Sequence, residues 1–121
     1  MRISQAGLVF ALVALGPVAG LAADLYGAIA YSPKSRAHGW AKDHPSRRAA
    51  EKAALSGCAK HAPDCAPVLW FKNACGALAT GPKGAGWAWN QTQTAADNGA
   101  IQACAKHSKA CTVKQRVCTT K

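Results

Sequence analysis

The stretch Cys58-Ala59-Lys60-His61, completed by Cys65, occurs a second time as Cys104-Ala105-Lys106-His107, completed by Cys111 at the same spacing. Such an echo divides a chain into units, and a repeat that is missed misreads the whole fold. Before the first copy runs a proline-free segment in which Ala50, Ala54 and Cys58 recur at helical spacing. Residues about one turn apart share a face, so the spacing predicts a helix from Arg47 to Lys60 whose buried face is almost all alanine. A face of that kind buries little area but lets the helix approach a sheet closely. Ser46 precedes it, where a hydroxyl can accept from a free amide of the first turn. Thr92 holds the same place in the second copy, and Ala95-Ala96-Asp97 echoes Ala49-Ala50-Glu51.

Strands lie outward from the helices. Tyr26-Gly27-Ala28-Ile29-Ala30-Tyr31 is short, apolar and closed by the turn residues Ser32-Pro33. Ala37-His38-Gly39-Trp40-Ala41 reads as the returning strand, and Cys65 opens a third centred on Val68-Leu69-Trp70-Phe71. In the second copy Cys75 to Pro82 echoes Tyr26 to Pro33, Gly86-Trp87 echoes Gly39-Trp40, and Thr112 to Cys118 is the last strand. Each unit is strand, strand, helix, strand. The expected fold is α+β: a mixed, mostly antiparallel sheet with two helices on one face, built from half-units at about 26–72 and 73–118. A half-unit of this size is small to be stable alone, so the two are expected to form a single domain over 24–121.

Ahead of that domain, Arg2 precedes an apolar run from Ala6 to Ala23 that ends in small residues at Gly20, Ala22 and Ala23. This is the pattern of a secretory signal peptide, expected over residues 1–23. A membrane anchor is the alternative, but Pro17 and Gly20 interrupt the run and no basic stop-transfer flank follows. No later stretch approaches the roughly 20 apolar residues that span a bilayer. Export to the periplasm or beyond is the expectation.

All 6 cysteines fall in the exported part. An even number in a small exported chain reads as a disulfide framework. The echo pairs Cys58 with Cys65 and Cys104 with Cys111, each tying a helix end to the next strand, and leaves Cys75 for Cys118. The competing reading is metal binding. Cys58, His61 and Cys65 are spaced Cys-x2-His-x3-Cys, as are Cys104, His107 and Cys111, and these are zinc-ligand types. Each cluster, however, offers three ligands where a structural site takes four. No metal or other cofactor is therefore expected.

The formal charge is +10, and +9 once Arg2 leaves with the signal peptide. Such a field favours anionic partners as well as solubility. Arg47, Arg48, Lys52 and Lys60 lie along the first helix, and with Trp89 they form the candidate binding face. Trp40 and Trp87 occupy matching places and are expected in the core. Trp89 has no aromatic counterpart, since Lys42 stands in its place, and is the expected exposed contact. Aromatics among basic residues could stack nucleic-acid bases, but no nucleic-acid motif appears. Catalysis finds little support. His38, His44, Asp43 and Ser46 could be assembled into a Ser-His-Asp set, but G-x-S-x-G, H-E-x-x-H and paired glutamates are missing and the chain has 5 acids in all. No catalytic residue is assigned.

The wording Tyr26-Gly27-Ala28-Ile29-Ala30-Tyr31-Ser32, Gly39-Trp40, Trp70-Phe71-Lys72-Asn73-Ala74-Cys75-Gly76-Ala77-Leu78-Ala79 and Gly86-Trp87 resembles the bacterial domain of unknown function 4189 family. The resemblance runs from about Tyr26 to Cys118 and is most specific from Trp70 to Ala79. It implies a small exported protein with a compact mixed α/β domain and paired half-units. It implies no activity and transfers no catalytic residues. The expected function is that of a non-enzymatic exported binding protein with a protein partner in the envelope or outside the cell, of inhibitor, immunity or effector type. A polyanion binder for nucleic acid, lipopolysaccharide or anionic lipid is the alternative.

Overall fold

The computed structural model describes residues 23–121, so the expected signal peptide lies outside the described residues except for Ala23. In chain order the elements are β1 (Tyr26–Tyr31), β2 (His38–His44), α1 (Arg47–Ala59), β3 (Ala66–Lys72), β4 (Cys75–Gly81), β5 (Gly84–Asn90), α2 (Gln93–Ala105) and β6 (Thr112–Cys118). Both helices start as expected. Ser46 Oγ accepts from the Ala49 amide at 3.1 Å, and Thr92 Oγ1 from the Ala95 amide at 3.2 Å. Each cap satisfies one amide that has no partner inside its helix. The alanine faces are buried completely: Ala50, Ala54 and Cys58 in α1, and Ala96, Ala100 and Cys104 in α2. Among the described residues no helix is long and apolar enough to cross a membrane.

The class is α+β, but the layers differ from the single sheet with both helices on one face. The strands form two three-stranded sheets, ordered β2-β1-β3 and β5-β4-β6, and every pair in both is antiparallel. The sheets pack face to face, with β1 over β4, β2 over β6 and β3 over β5. Each helix covers the outer face of its own sheet, so α1 and α2 lie on opposite sides of the molecule. The reason is in the two central strands, which are apolar on both faces. Successive side chains of a strand alternate between its faces. Ala28 and Ala30 of β1 meet α1, whereas Ile29 and Tyr31 meet the other sheet. Ala77 and Ala79 of β4 meet α2, whereas Leu78 points inward. A single sheet with one solvated face would have left Ile29, Tyr31, Phe71 and Leu78 in water.

Small residues face the helices and large ones fill the space between the sheets. This sorting is sharpest at Gly39 of β2 and Gly86 of β5. A Cβ on Gly39 would overlap the backbone of Ala54 and Cys58, and a Cβ on Gly86 the backbone of Ala100, Ala103 and Cys104. Gly57, on the helix side of the same contact, has ordinary room, with Gly39 Cα 3.6 Å from where its Cβ would stand. Gly39→Ala is therefore expected to cost about 1–3 kcal/mol through overpacking against backbone. Gly57→Ala is expected to be neutral or to gain up to about 1 kcal/mol from helix propensity. Denaturant midpoints of the two variants check this. Equal midpoints would mean that the helix does not rest on β2 through glycine.

Three disulfides join Cys58 to Cys65, Cys104 to Cys111 and Cys75 to Cys118, as the echo predicts. The first two fix a helix end to the loop before β3 or β6. The third joins directly opposed residues of β4 and β6, with Cα atoms 3.9 Å apart. All six sulfurs are bonded in pairs and none is free. The reading of Cys58, His61 and Cys65, and of Cys104, His107 and Cys111, as metal clusters loses its thiolates. His61 and His107 are left as exposed residues just past the helix ends.

Candidate binding groove

The four tryptophans are all exposed: Trp40 by 49%, Trp70 by 37%, Trp87 by 38% and Trp89 by 52%. For Trp40 and Trp87 this corrects the expectation of core packing. Trp40 pairs with Ile29 and Trp87 with Leu78, so each does point to the inter-sheet side. Both stand on edge strands, however, where the overlap of the two sheets ends and one flank of the ring meets water. Trp89, two residues beyond Trp87, shares its face.

On the flank where β3 lies over β5, these positions make a groove. Its floor and walls are Val68, Leu69 and Phe71 of β3 with Trp87 and Trp89 of β5, and Lys72 and Gln91 stand at one end, in about 550 Å³. It continues past Val68 and Trp87 into a second hollow of about 450 Å³ that reaches Tyr31, Pro33, Lys83, Ala85 and His107. A seven-residue strand spans roughly 20 Å, and the groove follows β5 along this length. The middle is apolar and aromatic, and cations stand toward both ends at Lys72 and Lys83.

Trp70, on the lip of the groove, is held from outside. Tyr26 stacks on it with ring centroids 6.2 Å apart, and the Arg47 guanidinium lies over it at 4.8 Å. Arg47 also donates from Nε to Glu51 Oε2 at 3.2 Å. Of the residues proposed from the sequence as a binding face, Trp89 alone lines the groove, and Arg47 reaches it only by stacking on Trp70 from outside. Arg48 and Lys52 on α1 and Lys60 at its C-cap are exposed but outside the groove lining. Val68, Leu69 and Trp70 read from the sequence only as a strand centre and Trp87 only as core, and Lys72 carries no binding signal there. The alternation Trp87-Ala88-Trp89, which sets two large rings on one side of a strand, was the available signal.

Two residues of the Ser-His-Asp set, Ser46 and Asp43, do other work. Ser46 Oγ caps α1. Asp43 holds the C-terminus: the Thr120 amide donates to its Oδ1 at 2.9 Å and the Thr120 hydroxyl to Oδ2. His38 and Asp43 are five residues apart on one strand, roughly 16 Å. The Thr120 hydroxyl, and then its amide, hold the Asp43 carboxyl below the ordinary carboxylate range. A depressed folded-state value stabilises the clasp at pH values above the unfolded value and is lost as pH falls through the folded one. The Thr120 amide proton signal is therefore expected to move upfield only on strong acidification. Asp43→Asn should abolish that titration, and an unchanged titration in this variant would rule the clasp out.

Fold and groove together define a small disulfide-stapled α+β sandwich with an open aromatic groove along one flank. The family model described as a domain of unknown function (DUF4189) matches residues 26–118, and the chain belongs to that family. No curated protein and no solved structure matches it.

Proposed function

We propose that the chain is an exported, non-enzymatic binding protein that takes a protein partner in the envelope or outside the cell through the β3/β5 groove. The observation that carries this reading is the groove itself, with tryptophans at its centre and lysines at its ends. Protein interfaces concentrate their energy in desolvated aromatic anchors inside a polar rim. The apolar leader and the three disulfides support export.

The test is capture of envelope and secreted proteins on the oxidised chain, with a Trp87→Ala/Trp89→Ala variant and an Arg48→Glu/Lys52→Glu variant beside it. The tryptophan variant is expected to weaken the captured partner by at least about 30-fold, the loss typical of one strong anchor. The reversed-charge variant should change it little at moderate salt. The opposite pattern, with binding that collapses steeply as salt rises, marks a polyanion ligand on α1 and overturns the groove.

A further inference from the structure

The two sheets have four edge strands, and three of them carry devices that discourage pairing with another chain. β2 has a register break against β1, a left-handed Asp43 (φ 61°) and the polar run Lys42-Asp43-His44. β3 has a register break, Pro67 and Lys72. β6 has a register break with Lys114 and Arg116. Bulges, prolines and charges of this kind are how folded proteins protect their edges. β5 has none of them. Gly84-Ala85-Gly86-Trp87-Ala88-Trp89-Asn90 contains no charge and no proline, and it pairs with β4 through seven successive partners without a shift. In an antiparallel ladder about half of the amides and carbonyls of an edge strand turn outward.

Resting on the groove reading, we infer that β5 is a docking strand, and that the partner adds an extended segment with acidic ends to it as a fourth strand of the β5-β4-β6 sheet. An added strand places every second side chain on the face that carries Trp87 and Trp89, over the hollow walled by Val68 and Leu69. Backbone pairing supplies attachment and the tryptophans select alternate apolar side chains. Charge selects the ends. Lys83 stands beside Lys106 and Lys109 just before β5, and Lys72, at the far end, is already shared with Asp24 at 3.8 Å, so the Lys83 end carries the stronger preference for an acid. The acids of the described chain are engaged: Asp24 faces Lys72 at 3.8 Å, Glu51 holds Arg47, Asp97 holds Arg116, Asp64 accepts from Ser32, and Asp43 clasps Thr120. A second exported copy, with formal charge +9 of its own, would bring lysine to lysine at these ends.

The test uses the oxidised chain and a seven-residue peptide of alternating threonine and valine with a glutamate at each end. Its controls are the same peptide with the central amides methylated and the same peptide with lysine ends. Binding of the first peptide is expected to move the indole signals of Trp87 and Trp89 and to slow exchange of the Ala85–Trp89 amides about tenfold or more. The methylated peptide should do neither, and the lysine-ended one should bind about tenfold more weakly. Strand addition is overturned by equal binding of the methylated peptide, by unprotected β5 amides, by no binding of the acidic peptide, or by a β5-paired dimer that it does not displace. If any of these occurs while Trp87→Ala/Trp89→Ala still loses its captured protein, the groove stands and only the mode falls. If that variant keeps its partner, both fall.

Discussion

Phe71→Ala is expected to lose about 3–5 kcal/mol of stability, the range for deleting a buried aromatic ring. The upper part of that range is expected, because of what surrounds the ring. Phe71 is 1% exposed and is the largest fully buried side chain among the described residues. Its ring occupies the space that two glycines leave open, one in each sheet. A Cβ on Gly27 would overlap Cε2 and Cζ of the ring, and one on Gly76 would overlap Cε1. The walls of the resulting cavity would be strand backbone, pinned by hydrogen bonds in both sheets. Backbone of that kind cannot collapse inward as flexible side chains do, so the cavity term persists. Against a total stability of roughly 5–15 kcal/mol, such a loss brings the domain close to unfolding. Guanidinium melts of Phe71→Ala and Phe71→Leu provide the check. Leucine should recover part of the loss. A Phe71→Ala loss below about 2 kcal/mol, under the range for a buried aromatic whose cavity persists, would show that the sheets close over the gap.

Removing the β4–β6 bridge with Cys75→Ala/Cys118→Ala is expected to cost about 4 kcal/mol, against about 2.5 kcal/mol for Cys58→Ala/Cys65→Ala. The difference comes from the length of chain each bridge closes. Cys75 and Cys118 are separated by 43 positions and Cys58 and Cys65 by 7. A longer closed loop removes more unfolded-state freedom, although only logarithmically. The bridge also takes the place that a stacked side-chain contact holds in the first half. Tyr26 and Lys72 pair there at the register position of Cys75 and Cys118, and Tyr26 stacks on Trp70. The second half has no aromatic at this point, and the disulfide is its substitute. Equal losses for the two double variants, measured on separately purified oxidised proteins, would assign the bridges to native packing instead of chain entropy.

The local plan of the chain was legible without coordinates. Ser46 and Thr92 announced both helix starts, and Ala50, Ala54 and Cys58 announced the buried stripe. The spacing of Cys58 to Cys65 and Cys104 to Cys111 announced two bridges and left the third by elimination. These features depend on residues close in sequence, where spacing alone sets geometry. The binding face was legible only in part. Trp89 was selected because it lacks a counterpart in the first unit, and it lies in the groove. The match between Trp87 and its counterpart Trp40 reads as core packing for both. Equivalence between two halves, however, says nothing about depth, and both rings sit on edge strands.

By itself, then, the sequence determined the order of elements, the caps, the disulfide pairing and which side chains share a face. Short-range periodicity and chain connectivity are sufficient for these. Tertiary structure alone decided that the strands divide into two sheets, that the helices take opposite outer faces, and that β3 of one half lies over β5 of the other. A strand with two apolar faces, such as Ala28-Ile29-Ala30-Tyr31, can satisfy both only by being covered twice, and nothing local says by what. The groove exists because two edges from different halves of the chain meet, and the unguarded edge of β5 is distinguished only once its neighbours are known.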